Sequence, residues 1–308
     1  MSTPGDGRDS DHRDVALVVI GAVLISLKGI LAKLLYREGV SVEALVLLRG
    51  WISLPIIWAW ALYREGARSI VSVPGNLIVG ALLAGVACYY LGSWLDFVAL
   101  TMIDASLERV LLFSYPVIVV LARAFMQRRW PSRRVIAAVT LTYLGIVCAV
   151  GGLERGMWQA NGFGAALVLV AAAGFAYYLI ANERFAQIAP STAFIVYASL
   201  GAAAGLAIHF SYFGEFNDLV LSTRAWALLL LMTAFTNVLP LFLFSASIRR
   251  IGAQRASIIS SVGPPATIGL AVVILGETMR PVQLAGAVLI IIGIVILEAR
   301  WRGAPETI

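Results

Sequence analysis

VALVVIGAVLISLKGILAKLLY, residues 15–36, decides the class of this protein. Ser26, Lys28, Lys33 and the Tyr36 hydroxyl are the only polar side-chain groups in the run. Wound as a helix at 1.5 Å per residue, it is about 33 Å long, enough to cross a hydrocarbon layer of about 30 Å. It must be a helix, because lipid offers no water to backbone N–H and C=O groups. Working outward, charges, glycines and prolines punctuate nine more runs of the same kind. The ten predicted spans are 15–36, 42–63, 76–100, 104–126, 133–151, 161–182, 192–213, 224–247, 253–275 and 281–298. The composition agrees. Hydrophobic residues make up 60% of the 308 and charged ones 13%, against about 25% charged in a soluble domain. The expected fold class is an all-α integral membrane protein. Residues 1–14 and 299–308 are expected to be cytosolic tails, the first disordered.

The net charge of +6 would suit a nucleic-acid binder, but its distribution speaks for topology. With the N-terminus inside, fourteen arginines fall in cytoplasmic segments, among them Arg64, Arg68, Arg128, Arg129, Arg133, Arg184, Arg249 and Arg255. Four fall outside, Arg37, Arg155, Arg224 and Arg280. The positive-inside rule then puts both termini in the cytoplasm of a plasma (bacterial inner) membrane. No nucleic-acid partner is expected. Cys88 and Cys148 lie in apolar runs and read as small buried hydrophobes.

A shift of 148 residues aligns 91–147 with 239–295 without a gap. Pro116 falls on Pro264, and Gly145-Ile146-Val147 on Gly293-Ile294-Val295. The chain thus divides into a repeat over 15–151 and a second over 161–298. Each holds five spans, an odd number, so the halves must lie upside down to each other. Inverted repeats mark alternating-access carriers, with the solute site where the halves meet.

Several stretches carry a further resemblance: SLKGILAKLLY at 26–36, LVLLRGW at 45–51, ASLERVLLFSYPVIVVL at 105–121 and LGETMRPVQLAGAVLIIIGIVI at 275–296. Together they resemble EamA-type carriers of the drug/metabolite transporter superfamily, over nearly the whole chain. The resemblance implies a central cavity among the third, fourth, eighth and ninth spans, with the first and sixth beside them. It implies a Gly-Glu pair in each repeat. Gly276-Glu277 supplies one, whereas Arg128-Arg129 stands at the matching place in the first repeat. That departure favours a helix-end role for the pair.

Ionisable residues inside spans cost about 2.5–3.5 kcal/mol each on insertion scales, so each asks for a function. Arg123 is near a helix end and snorkels. The others are Lys28, Lys33, Arg49, Asp96, Glu108 and Arg109, all in the first repeat and in its outer half. The only two lysines among 23 basic residues are both here, where a compact ammonium serves differently from a guanidinium fork. Lys28 and Arg49 are expected to attract a solute carboxylate, with Tyr89, Tyr115, Asn237 and Ser260 completing the site. Lys33 is expected to join Asp96, Glu108 and Arg109 in an outer gate. Pro116, Pro264 and Pro265 are expected to break helices in mid-span.

The expected function is secondary transport, as exporter or exchanger, of small polar metabolites such as amino acids or organic anions. Other solutes of the superfamily (cationic drugs, nucleotide or sugar derivatives) are the alternative, and an intramembrane enzyme or a scaffold the remoter ones. No catalytic residue, cofactor or metal is expected, since His12 and His209 stand alone and no phosphate-cradling motif is present. The partners are a small-molecule solute and the bilayer. The GxxxG at Gly201–Gly205 suits packing within the bundle or a homodimer contact, leaving monomer or homodimer open.

Overall fold

The computed structural model describes residues 6–126, 128, 132–150, 154–240, 243 and 262–298. Among the described residues, and apart from a short 3-10 turn at Phe216–Leu219, ten helices follow one another: α1 (Asp6–Arg37), α2 (Val42–Val71), α3 (Gly75–Ala99), α4 (Ala105–Met126), α5 (Arg133–Val150), α6 (Arg155–Ala186), α7 (Ser191–Phe213), α8 (Thr223–Met232 continued by Thr233–Val238), α9 (Gly263–Leu275) and α10 (Pro281–Glu298). Six are long and apolar enough to cross a membrane by themselves, and α5, α9 and α10 contribute shorter apolar helices. Helix α1 starts nine residues before the predicted span, so residues 6–14 are helical where a disordered tail was expected. Propagating a helix already nucleated in the span costs little per residue. Helix α2 runs on to Val71 through a kink at Gly66, whose φ is 75°. The predicted residues 241–242, 244–261 and 299–308 lie outside the described set.

Polar contacts sort the loops into two ends. At one, which we call the Glu38 end, Arg224 pairs with Glu38 at 3.0 Å, Ser41 donates to Asp218 at 2.9 Å, and Arg280 pairs with Glu154. The loops after α1, α5, α7 and α9 are therefore all on that side. At the Glu65 end, Arg123 of α4 pairs with Glu183 of α6, and Thr192 of α7 donates to Glu65 at 3.0 Å. Helix α1 thus finishes at the Glu38 end, whereas α6, its counterpart, starts there. The two five-helix repeats are inverted.

The packing obeys the same exchange of halves. α5 lies on α10 and α2 on α7; α1 touches α8 and α9, as α6 touches α3 and α4. The α5–α10 seam shows it atom by atom. A methyl on Gly145 would meet Gly286 O at 2.8 Å and Ile290 Cγ1 at 2.7 Å. On Gly293 it would meet Ala138 O at 2.8 Å and Thr142 Oγ1 at 2.4 Å. Residues 286 and 290 are 138 and 142 shifted by 148. The GxxxG is used inside the chain: Gly201 lies against Leu82 O of α3, and Gly205 against the Tyr90 ring.

Irregular backbone recurs at matched places as well. Val86–Gly92 in α3 and Thr233–Val238 in α8 are π-helical turns. Helix α4 breaks at Phe113–Ser114, just before the segment Tyr115–Met126, and α9 begins at Gly263. Pro116, Pro264 and Pro265 thus sit in the first turns of fresh helical segments, where a missing N–H costs nothing. Gly276 ends α9 with φ 71°, and at the matching position Arg128 takes φ 50°. A left-handed arginine costs about 1–2 kcal/mol that glycine avoids. Arg128→Gly should therefore raise stability by about 1 kcal/mol, measured as a higher thermal midpoint in detergent. An unchanged or lowered midpoint would contradict that account.

Candidate functional site

Two polar clusters sit beside each other between the halves. In the first, the Lys28 ammonium of α1 lies 2.5 Å from Asp96 Oδ2 of α3 and 3.0 Å from Glu108 Oε1 of α4. Asp96 and Glu108 are buried. Gly29 makes the approach possible, since a methyl there would come within 3.1 Å of Ala105 Cβ and 3.4 Å of Glu108 Oε2. In the second, Arg49 of α2 donates to Ser93 Oγ at 2.7 Å and to Asn237 Oδ1 at 3.3 Å. Asn237 donates onward to Ser53 at 3.4 Å. Phe97 joins the clusters: the Arg49 guanidinium lies 4.9 Å from its ring centre and the Lys28 ammonium 5.7 Å. Arg49 is buried, its Nε has no hydrogen-bond partner, and among the described residues no carboxylate pairs with it. Arg109, also buried, lies over the Phe113 ring at 5.2 Å, beside Gly263 at the start of α9.

Lys28 takes the ion-pair place expected of Lys33, and Lys33 does not take the solute place expected of Lys28. Lys33 reaches Glu277 at 3.4 Å and Asp104 at 3.5 Å instead of Asp96 and Glu108. The lysines are five residues apart, about 140° around the helix, so only one can face α3 and α4. The depth of a Cα also understates the reach of a four-carbon stem. Arg109 stands apart on Phe113 and does not close an ion-pair ring with Lys33.

A cavity of about 90 Å³ opens on Arg49. Ser53, Tyr89, Ser199 and Asn237 supply its polar lining, and Val46, Leu54, Ile195 and Leu206 are among its apolar walls. Tyr115 is not part of that lining. It packs edge-on against Phe175 with ring centres 4.8 Å apart, in an aromatic series that continues through Tyr178 to Tyr89. Ser260 lies outside the described residues. Ser53, Ser199 and Phe97 went unmarked in the sequence, where nothing distinguishes them from packing residues.

Glu277 lies at the Glu38 end. Its carboxylate accepts from Ala105 N at 2.9 Å, Ser106 N at 3.1 Å and Ser106 Oγ at 2.8 Å. Asp104, in the N-cap position of α4, provides no side-chain cap of its own. A carboxylate from α9's far end therefore satisfies the first amides of α4 and meets its dipole. A larger cavity of about 360 Å³ lies among α3, α4, α6 and α7, lined by Leu77, Ile118, Ala122, Tyr177, Phe194 and Arg184 among others. Among the described residues no group of three His, Cys, Asp or Glu side chains is placed to hold a metal ion.

The sequence profile of the EamA-like transporter family matches residues 13–151 and again 162–298. The chain belongs to the EamA-like transporter family. It is also 30% identical over 281 residues to a Bacillus subtilis (strain 168) protein described as uncharacterized transporter YcbK, covering 87% of each chain. A solved crystal structure covers 94% of this chain and 99% of its own, with a TM-score of 0.62 and 18% identity. At that identity the likeness shows the fold alone. The protein is a multi-pass membrane transporter of the drug/metabolite class.

Proposed function

We propose that this EamA-like transporter carries small carboxylate-bearing solutes by alternating access, and that Arg49 is the anchor for the carboxylate. The supporting observation is a buried guanidinium that faces a cavity and has no carboxylate in contact among the described residues. Such a group is desolvated without a counter-ion, and a charge-assisted pair with a solute returns what desolvation removed. Lys28 is a poorer anchor than the sequence suggested, since two carboxylates already hold it. A carrier of cations would need an acidic group left open, and Asp96 and Glu108 both serve Lys28. In this reading the chain is a carrier and not an enzyme.

The gates follow from the asymmetry of the ends. Glu277, with Lys33 and Asp104, latches the Glu38 end over α4. At the position that the 148-residue shift matches to Glu277 the first repeat carries Arg129, with no carboxylate to form the same latch. The aromatic series of Tyr89, Tyr115, Phe175 and Tyr178, which starts in the wall of the Arg49 cavity, serves as the inner gate. The arginine distribution makes the Glu65 end cytoplasmic. Both termini are then cytoplasmic in the plasma membrane, and the use of the GxxxG within the bundle favours a monomer.

Two experiments test this. Proteoliposomes of the purified protein should show counterflow of labelled small carboxylates without a pH gradient, and should not move organic cations. Counterflow of cations alone would sink the carboxylate reading. For orientation, single cysteines replacing Glu38 and Arg155 should react with an impermeant maleimide in intact cells, and one replacing Gln187 only after lysis. The reverse pattern would overturn the assignment of the ends.

A further inference from the structure

Resting on the carboxylate reading of Arg49, we propose that the solute is a short monocarboxylate without an ammonium group, because no carboxylate lines the Arg49 cavity and the two interior carboxylates are both held by Lys28 outside that lining. Asp96 and Glu108 are the only acidic residues in the interior of the spans. Both point at one Lys28 ammonium, at 2.5 and 3.0 Å. The second oxygen of Asp96 has no partner, but it is buried and Asp96 does not line the cavity. A solute ammonium reaching the Arg49 cavity meets Ser53, Ser199, Asn237 and Tyr89, and no carboxylate.

The cavity is small, about 90 Å³, which suits a short solute. The apolar walls of Val46, Leu54, Ile195 and Leu206 suit its alkyl part.

The test uses three solutes of one skeleton, propionate, alanine and propylamine, as competitors of labelled-propionate counterflow in proteoliposomes of the full chain. Propionate should compete. Alanine should be weaker by roughly 30-fold or more, because its ammonium loses water without gaining a counter-ion. Propylamine should not compete. Alanine competing as well as propionate would overturn this inference and leave the Arg49 reading standing. Absence of any carboxylate counterflow would overturn both. The decisive variant is Lys28→Ala/Asp96→Asn, which keeps the charge of the triad and leaves Glu108 open to an ammonium. It should shift preference towards alanine over propionate by about tenfold or more, and Lys28→Ala should do the same where it folds. An unchanged preference in the folded double variant would reject the role given to Lys28.

Discussion

Lys28→Met is expected to lower the stability of the fold by about 3–5 kcal/mol, the range found when one partner of a buried ion pair is removed. The cost comes from what remains. Asp96 and Glu108 are both buried and both within 3.0 Å of the lost ammonium. Two carboxylates left facing each other in a dry site repel, and each has lost the cation that replaced its water. The triad also joins α1, α3 and α4, so its loss loosens three helices at once. Lys33→Met offers the control. Its partner Asp104 is half exposed at 51%, and its buried partner Glu277 keeps three hydrogen bonds from Ala105 and Ser106 when the lysine is gone, so the loss should be clearly smaller than for Lys28. Thermal unfolding of the two variants in the same detergent measures the difference. Equal midpoints would show that Lys28 is not the keystone of the site. Partial recovery in Lys28→Met/Glu108→Gln, which removes one of the two stranded charges, would confirm the cause.

The ten crossings were legible because each is an apolar run of membrane length, a signal that survives any error in detail. Their ends were less so. Residues 64–71 continue α2 although Arg64, Glu65 and Arg68 break the apolar pattern. The bilayer surface accepts such a helix, and hydropathy alone stops at its edge. The inversion was readable from Pro116, Gly145 and their partners at a shift of 148, since prolines and close-packed glycines mark backbone geometry that both copies need. The paired π-helical turns were not readable. The one in α3 lies where Gly92 and Gly174 let α3 and α6 approach, with Ala87 O only 2.6 Å from a methyl placed on Gly174. No single sequence displays that contact.

The site was legible as a set of residue types and not as a set of partners. Six charges in apolar helices announce a polar centre, but which cation meets which anion depends on helix rotation and side-chain reach. Lys28 and Lys33 differ by 140° of rotation, and the sequence alone gives no zero for that angle. Glu277 shows the converse. A Gly-Glu pair at a helix end reads as local capping, and Gly276 does end α9. The glutamate, however, caps α4 from 172 residues away, a role only the tertiary arrangement creates.

Arg49→Gln should lower the affinity for carboxylates by about 100-fold or more, the loss of a charge-assisted pair in a desolvated site. Glutamine keeps polar contact with Ser93, so the fold should survive. Arg49→Lys should recover only part of the binding. An ammonium keeps the charge but lacks the planar fork that now spans Ser93 on one side and Asn237 on the other. Loss by removal has a second explanation, disorder of the cavity, and Asn237→Asp separates the two. Its new carboxylate would stand where Asn237 Oδ1 now accepts from Arg49 at 3.3 Å, and would pair with the guanidinium internally. That variant should unfold no earlier than the parent and yet lose carboxylate binding, because the solute's counter-charge is already in place. Equilibrium binding of labelled propionate beside the thermal midpoint gives both readings. Binding retained in Asn237→Asp would mean that the solute is held elsewhere, and would move the anchor from Arg49 to Arg109, the other buried guanidinium without a carboxylate partner among the described residues.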